Sequence, residues 1–413
     1  MQMGEDQFIF DSLLVGLSSL SLAAWIFLAA FRGGFWKANQ RLSDPESPPD
    51  RWPTVSAIIP ARNEEKTIAT TLHSLLTQDY PGKFNIYVVD DNSEDNTVSQ
   101  VEMVSGQRVN LVAGSNLPEG WTGKLWALQQ GVISMNKADA IPDYILFTDA
   151  DIEHSTDILR RLVKHAEDKN LDLVSLMVLL RCRSLWEVLL IPAFVLFFQK
   201  LYPFPWVNDP ARHTAGAAGG CILLRRTALE NSGGLAEISD QVIDDCSLAR
   251  QIKVEGPIWL GLTEDVRSLR GYTSLGAIWS MVIRTAFDQL NYSAINLIGS
   301  LVGMLLLYII PPFALVAGIA NSDISLFAIA ALTWSILSLC YWPTLRLYKR
   351  NSWEVLLLPA AAFLYTTMTL DSALRHWTGR GPRWKGRKNR PGTKKIMKPA
   401  TRIHERNRTT HRE

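Results

Sequence analysis

The chain has 413 residues, with 42 Lys+Arg against 40 Asp+Glu, a net charge of +2, 47% hydrophobic residues and 14 Trp. That length holds two or three pieces of about 150 residues each, and the apolar content excludes a disordered polyampholyte, a collagenous repeat and a disulfide-stapled mini-domain. A mean hydropathy of +0.04 averages over unlike regions.

Ser12 to Phe31 runs 20 residues without a charge, enough at about 1.5 Å per residue to cross a hydrocarbon core of roughly 30 Å. Acidic residues precede it (Glu5, Asp6, Asp11) and basic ones follow (Arg32, Lys37, Arg41). This is the reverse of a cleaved signal peptide, and the positive-inside rule predicts a retained anchor with its N-terminus outside. A Pro-rich linker, Asp44–Pro53, leads into the middle of the chain.

There strands alternate with helices. Val55–Pro60, Ile86–Val89, Val109–Val112 and Tyr144–Phe147 read as buried strands. Ile68, Leu72, Leu75 and Leu76 mark one helix and Lys124–Met135 another, by apolar spacing. The expected fold class is α/β, a mostly parallel sheet flanked by helices over residues 54–290. Ligands of such sheets sit at the carboxyl ends of the strands. Carboxylates stand at two of those ends, Asp90-Asp91 and Asp149-x-Asp151. The first doubles as a turn and helix cap, while two acids one residue apart suit a hard divalent cation shared with phosphate oxygens. A third acidic pair, Asp244-Asp245, opens a helix. It serves either as N-terminal charge or as a general base raised in pKa by its neighbour.

Gly120-Trp-Thr-Gly-Lys124 is not a phosphate-binding P-loop, because Pro118 and Leu125 stand where Gly and Ser/Thr are required. No dinucleotide fingerprint occurs. Leu185–Trp206, with three Pro, two Trp and a cluster of Phe, reads as an interfacial segment anchored by aromatic rings such as Phe197 and Phe198. The four cysteines, Cys182, Cys221, Cys246 and Cys340, show neither C-x-x-C nor zinc spacing and are expected as free thiols.

Towards the C-terminus, Ala294–Ala320 and Ile324–Leu345 are long uncharged runs. Val355–Leu370 has 16 residues and contains Pro359, which favours a re-entrant or interfacial segment. From Arg380 onward the chain carries 13 Lys and Arg against two Glu. This predicts a disordered basic tail drawn to anionic membrane lipid, with no nucleic-acid partner.

VSAIIPARNEE (Val55–Glu65), IYVVDDNSEDNT (Ile86–Thr97), FTDADI (Phe147–Ile152), AAGGCILLRRTALENSGG (Ala217–Gly234) and DDCSLA (Asp244–Ala249) follow one another. In that order they resemble family 2 glycosyltransferases of the GT-A fold, over about Pro53 to Gly276. GWTGKLWALQQG (Gly120–Gly131), the hydrophobic ends and RWKGR (Arg383–Arg387) are most similar to hopene-associated glycosyltransferases of bacterial hopanoid gene sets, relatives of ceramide glucosyltransferase. The resemblance implies that Ala61, Arg62 and Glu64 lie along the nucleotide, that Asp91 meets the base, and that Lys124 touches the donor near its phosphates. It implies that Asp149 and Asp151 hold ribose and Mg²⁺ or Mn²⁺, that Asp245 is the catalytic base with Asp244 in place of the family's Glu, and that Gly219 and Gly220 border the acceptor. The family's Gln/Arg-x-x-Arg-Trp motif survives only as Met281-Val-Ile-Arg284-Thr285, which keeps Arg284 on the acceptor side and weighs against polymer synthesis. The implied protein is a multi-pass enzyme of the bacterial cytoplasmic membrane, with its catalytic domain in the cytoplasm. It takes a nucleotide-sugar donor and a lipid acceptor, and inverts the anomeric carbon. A polyprenyl-phosphate sugar transferase and a non-catalytic membrane scaffold are the rival readings.

Overall fold

The computed structural model describes residues 2–42, 51–104, 106–137, 141–380, 383–384 and 387–388. Most of the Asp44–Pro53 linker and of the basic tail lies outside the described residues.

Runs of β-branched and aliphatic residues make the strands: β1 (Val55–Ala61), β2 (Phe84–Asp90), β3 (Val109–Ala113), β4 (Tyr144–Thr148), β5 (Ile152–His154), β6 (Leu173–Leu179), β7 (Cys221–Arg225) and β8 (Ile258–Ser268). They form one eight-stranded sheet in the order β3-β2-β1-β4-β7-β6-β8-β5. The β1–β2, β2–β3, β1–β4 and β6–β8 pairs are parallel, whereas β7 and β5 run against their neighbours. The sheet is the mostly parallel, helix-covered one expected.

Helix α1 (Gln2–Phe31) precedes the sheet, and α2 (Ile68–Leu76), α3 (Thr97–Val104), α4 (Gly123–Asn136) and α5 (Ile158–Asp168) alternate with the first strands. Leu125, Leu128 and Met135 of α4 are buried in the core beside Ile58 and Val89. Burial of such a side chain is worth about 1.5–3 kcal/mol. Gly131 lets that helix sit close, because a Cβ there would stand 2.3 Å from Ile58 Cγ2. The remaining helices are α6 (Leu185–Leu201), α7 (Phe204–Val207), α8 (Arg226–Asn231), α9 (Asp244–Glu255), α10 (Leu275–Ile283), α11 (Ala286–Gln289), α12 (Ala294–Met304), α13 (Ile310–Ala320), α14 (Ile324–Leu347) and α15 (Leu358–Trp377).

Among the described residues, five helical stretches are long and apolar enough to cross a membrane: Asp11–Phe31, Leu185–Val207, Ala294–Ala320, Ile324–Leu347 and Ser352–Trp377. They are not equivalent in place. At one end of the bundle Asn321 donates to Asp11 (3.2 Å), and Leu14 packs with Ala314, Leu326 and Ala330. At the other end Arg32 donates to the Lys200 carbonyl (3.2 Å), while Leu347 and Tyr348 enter the core of the sheet domain. Thus α1, the α12–α13 pair and α14 run between a domain-distal and a domain-proximal end. The α12–α13 pair is joined by a π-turn, Leu305–Ile309, just before Pro311-Pro312, whose missing N–H groups break the α-helical ladder.

Helix α6 lies between domain and bundle. A capping box starts it: Glu187 N–H donates to Ser184 Oγ (3.2 Å) and Ser184 N–H to Glu187 Oε2 (2.8 Å). Ile191 and Val195 belong to the domain core, whereas Leu190, Ala193 and Leu196 belong to the bundle core. Phe197 packs on Tyr308 and Tyr365, and Phe198 on Tyr202 and Phe204. These two rings are packing elements on opposite faces, a correction to their reading as lipid anchors.

Helix α15 continues past Leu370 to Trp377, because Asp371, where the uncharged run stops, is satisfied by Trp279 Nε1 (2.7 Å) and by Arg375. It begins beside the domain-proximal end of α14. It ends with His376 stacked on Tyr292 (4.4 Å between ring centroids) and Ser372 Oγ donating to the Ile283 carbonyl (2.6 Å). Its middle meets α6, where Tyr365 donates to the Leu190 carbonyl (3.0 Å).

Candidate active site at the strand ends

The carboxyl ends of β1, β2 and β4, the start of α4 and the start of α9 converge. At the end of β1, the Arg62 guanidinium donates to the carbonyls of Asp91 (2.5 Å) and Asn92 (3.0 Å) and stands 3.9 Å from the Asp91 carboxylate. Asp91 is fully buried, and its N–H donates to the Ala61 carbonyl (2.8 Å). Asp90 does the turn work, accepting from the Ser93 N–H (3.3 Å).

Lys124, in the first turn of α4, lies 2.9 Å from Asp149 and 3.3 Å from Asp244. Burial opposes its charge, but Asp149, Asp244 and Asp245 overcome it and hold the ammonium protonated. Asp245 is held from both sides: Gly219 N–H donates to Oδ2 (2.9 Å) and Cys246 N–H to Oδ1 (2.7 Å). Burial, then the Asp244 charge, push its carboxyl up to about 6 despite the opposing Lys124. A Cβ at Gly219 would stand 3.0 Å from Lys124 Nζ and 3.4 Å from Asp245 Oδ2, so this position keeps the cleft open. Lys124, Phe147, Asp149, Gly219, Asp244 and Asp245 share one cavity. Gly220 faces away from it: a Cβ there would meet Val178 at 2.8 Å, and its carbonyl accepts from Thr148 (2.8 Å).

Arg270 joins the remaining acidic residues. This arginine, two residues past β8, donates through Nε to Asp151 (2.5 Å) and through Nη2 to Glu64 (2.7 Å). Burial and the neighbouring Asp149 raise the Asp151 carboxyl, against the pull of Arg270. No sequence pattern singles out Arg270; its partners lie 119 and 206 residues away. Arg284 caps the C-terminal end of α10, exposed and close enough to Tyr272 to act on its hydroxyl. It stands outside the lining of the cavity that holds Asp245.

Among the described residues, no group of three or more His, Cys, Asp or Glu is arranged to hold a metal ion by itself. Asp149 and Asp151 still suit a divalent cation, since Mg²⁺-type sites use one or two carboxylates and fill the rest with phosphate oxygens and water.

Residues 56–233 match the family described as Glycosyl transferase family 2. Over this segment the chain is similar to family 2 glycosyltransferases. Among curated relatives, an uncharacterized protein of Methanocaldococcus jannaschii is 36% identical over 122 residues, 29% of this chain and 49% of its own. The 4,4'-diaponeurosporenoate glycosyltransferase of Staphylococcus haemolyticus is 35% identical over 100 residues, 24% of each chain. The beta-monoglucosyldiacylglycerol synthase of Synechocystis is 30% identical over 115 residues, 28% of this chain and 23% of its own. The match thus spans between about a quarter and a half of these relatives. The solved mannosyltransferase of Pyrobaculum calidifontis, in complex with GDP-Man and Mn²⁺, superposes with a TM-score of 0.53 over 87% of this chain and 98% of its own, at 20% identity. At that identity the likeness establishes the GT-A fold of the domain.

Proposed function

We propose that the chain transfers a sugar from a nucleotide-sugar to the hydroxyl of a membrane lipid, with inversion at the anomeric carbon. The observation that carries this reading is Asp245, a half-buried carboxylate in the cleft, oriented by two backbone N–H groups and raised to about 6. It shares a cavity with Lys124 and Asp149. In the proposed step the acceptor O–H gives its proton to Asp245 while its oxygen bonds to the anomeric carbon. The bond from that carbon to the diphosphate breaks, and the nucleoside diphosphate leaves with the electron pair. Lys124, with Asp149, orients the diphosphate side, and Arg62 and Asp91 line the nucleoside side. Asp151 and Asp149 would hold a divalent cation, which would supply charge stabilisation to the leaving diphosphate.

A lipid acceptor is favoured by the layer built from α6, α10 and α15 beside the cleft, and by two relatives named for lipid-soluble acceptors. The likeness of Gly120–Gly131 and Arg383–Arg387 to hopene-associated enzymes puts hopanoids first among acceptors to try. We read α1, α12–α13 and α14 as the membrane spans, and α6 and α15 as helices lying at the membrane surface. This places the family 2 domain and the basic tail together on the cytoplasmic side of a bacterial inner membrane. A polyprenyl phosphate is the second reading, favoured by Arg284 near Tyr272 and by Arg181, whose guanidinium lies against Gly271.

The test is to incubate membranes carrying the protein with UDP- and GDP-sugars and either hopanoid, glycerolipid or polyprenyl phosphate, and to detect products by mass spectrometry. A glycosylated hydroxyl lipid is expected. A product only on polyprenyl phosphate selects the second reading, and no transfer with any pair refutes both.

A further inference from the structure

Arg270 stands at a junction between the donor side of the site and the membrane-facing layer. Its guanidinium spans Asp151 (2.5 Å) and Glu64 (2.7 Å), and the neighbouring Leu269 N–H donates to the Asp151 carbonyl (2.8 Å). Both carboxylates are nearly buried, with side chains 9% and 11% exposed. Two charge-assisted hydrogen bonds of this geometry are among the stronger polar contacts in a protein. They occupy the carboxylate that a diphosphate-bound cation needs.

The other end of the same loop is tied to the membrane-facing layer. Tyr272 N–H donates to Glu187 (2.6 Å) and Ser184 Oγ to the Tyr272 carbonyl (3.3 Å), so the loop is pinned to the start of α6. Two residues later Ser274 caps α10, accepting from Ala277 N–H (3.2 Å). Trp279 of α10 then reaches Asp371 on α15 (2.7 Å). The path from Asp151 to the acceptor-side helices is thus one short loop with specific contacts at each end.

We propose that Arg270 is a positioning residue that acts as a latch: it holds Asp151 and Glu64 while the donor is absent, and entry of a nucleoside diphosphate with its divalent cation exchanges it off Asp151, freeing residues 269–283 beside the acceptor cleft. The latch rests on the metal-dependent donor binding proposed above. Its chemistry is a competition of two cations for one carboxylate, with the freed guanidinium able to meet the diphosphate.

The test uses the full-length protein in detergent or nanodiscs, with Mn²⁺ alone, Mn²⁺ with UDP and Mn²⁺ with GDP as probes. Mn²⁺ binding is followed by electron paramagnetic resonance, and backbone hydrogen exchange is followed over residues 269–283. Nucleotide-dependent Mn²⁺ binding that is lost in Asp151→Asn supports the donor-site reading. On that footing, Arg270→Gln is expected to bind Mn²⁺ alone at least about tenfold more tightly than the parent. Its 269–283 segment is expected to exchange fast whether or not nucleotide is present, whereas the parent becomes fast only on adding nucleotide and Mn²⁺. Arg270→Lys, which keeps the charge but loses the two-pronged contact, is expected to lie between them and serves if the Gln variant does not fold. Equal Mn²⁺ affinity and equal exchange behaviour in parent and variants overturn the latch while leaving the donor site standing. Absence of Mn²⁺ binding in the parent with every nucleotide overturns both.

Discussion

Protonation of Asp245 gives the most direct test of the site, because its pKa is set by identifiable neighbours. Burial and Asp244 raise the carboxyl to about 6, and Lys124 pulls the other way. A base must be ionised to accept a proton, so activity is present above that value and is lost as the pH falls through it. With a pKa of about 6 the ionised fraction falls from about nine-tenths at pH 7 to about one-tenth at pH 5, a loss of about tenfold in kcat/KM; an ordinary aspartate loses almost nothing over that range. Asp244→Asn removes the like charge, and it also leaves Lys124, now without its 3.3 Å partner, to act more strongly on Asp245. Both changes lower the Asp245 pKa, so the acid limb should move down by about one unit, equivalent to about 1.4 kcal/mol. The assay is kcat/KM against pH from 4.5 to 8 with saturating donor, alongside thermal unfolding to confirm that the fold persists. An acid limb that stays put or moves up in the Asn variant refutes the assignment of Asp245 as the titrating base.

Three further outcomes follow from the geometry. Asp245→Asn should keep its nucleotide affinity and melting temperature but lose about 10²–10⁴-fold in turnover, the usual contribution of a general base; near-parent turnover would remove Asp245 from the mechanism. Gly131→Ala should destabilise the domain by about 1–3 kcal/mol in denaturant or thermal unfolding, since its Cβ would stand 2.3 Å from Ile58 Cγ2; a variant as stable as the parent contradicts the close helix–sheet contact. Single cysteines introduced at Ser322, Lys349 and Gly379 in a cysteine-free background should fall into two groups under membrane-impermeant labelling. Ser322 is expected alone on the outer side; Gly379 labelling with Ser322 would make α15 a crossing helix.

Much of the sheet was legible because β1, β2 and β4 are largely apolar runs, the last two leading into carboxylates, and a strand buried on both faces leaves that mark. The acid-bearing ends of the strands then located the cleft, and the structure brings Lys124, Asp149, Asp244, Asp245 and Gly219 together there. The antiparallel strands β5 and β7 were not legible: β5 has three residues, and pairing direction depends on distant partners. Arg270 left no mark for the same reason, since its role comes from partners on two other strand ends. Counting charge underestimates the length of α15, because a buried-side partner such as Trp279 for Asp371 does not show in a hydropathy profile. Phe197 and Phe198 illustrate a related limit. A cluster of rings is the same string of letters whether it meets lipid or another helix.

Helix α6 belongs to two hydrophobic cores at once, with Ile191 and Val195 in one and Leu190, Ala193 and Leu196 in the other. The sheet domain cut free of the bundle therefore keeps a helix with one bare apolar face, and should clump rather than dissolve. During synthesis, α6 emerges before the segments that complete its second partner, α14 and α15. That face must wait, shielded by the bilayer surface or a chaperone, until the C-terminal helices arrive.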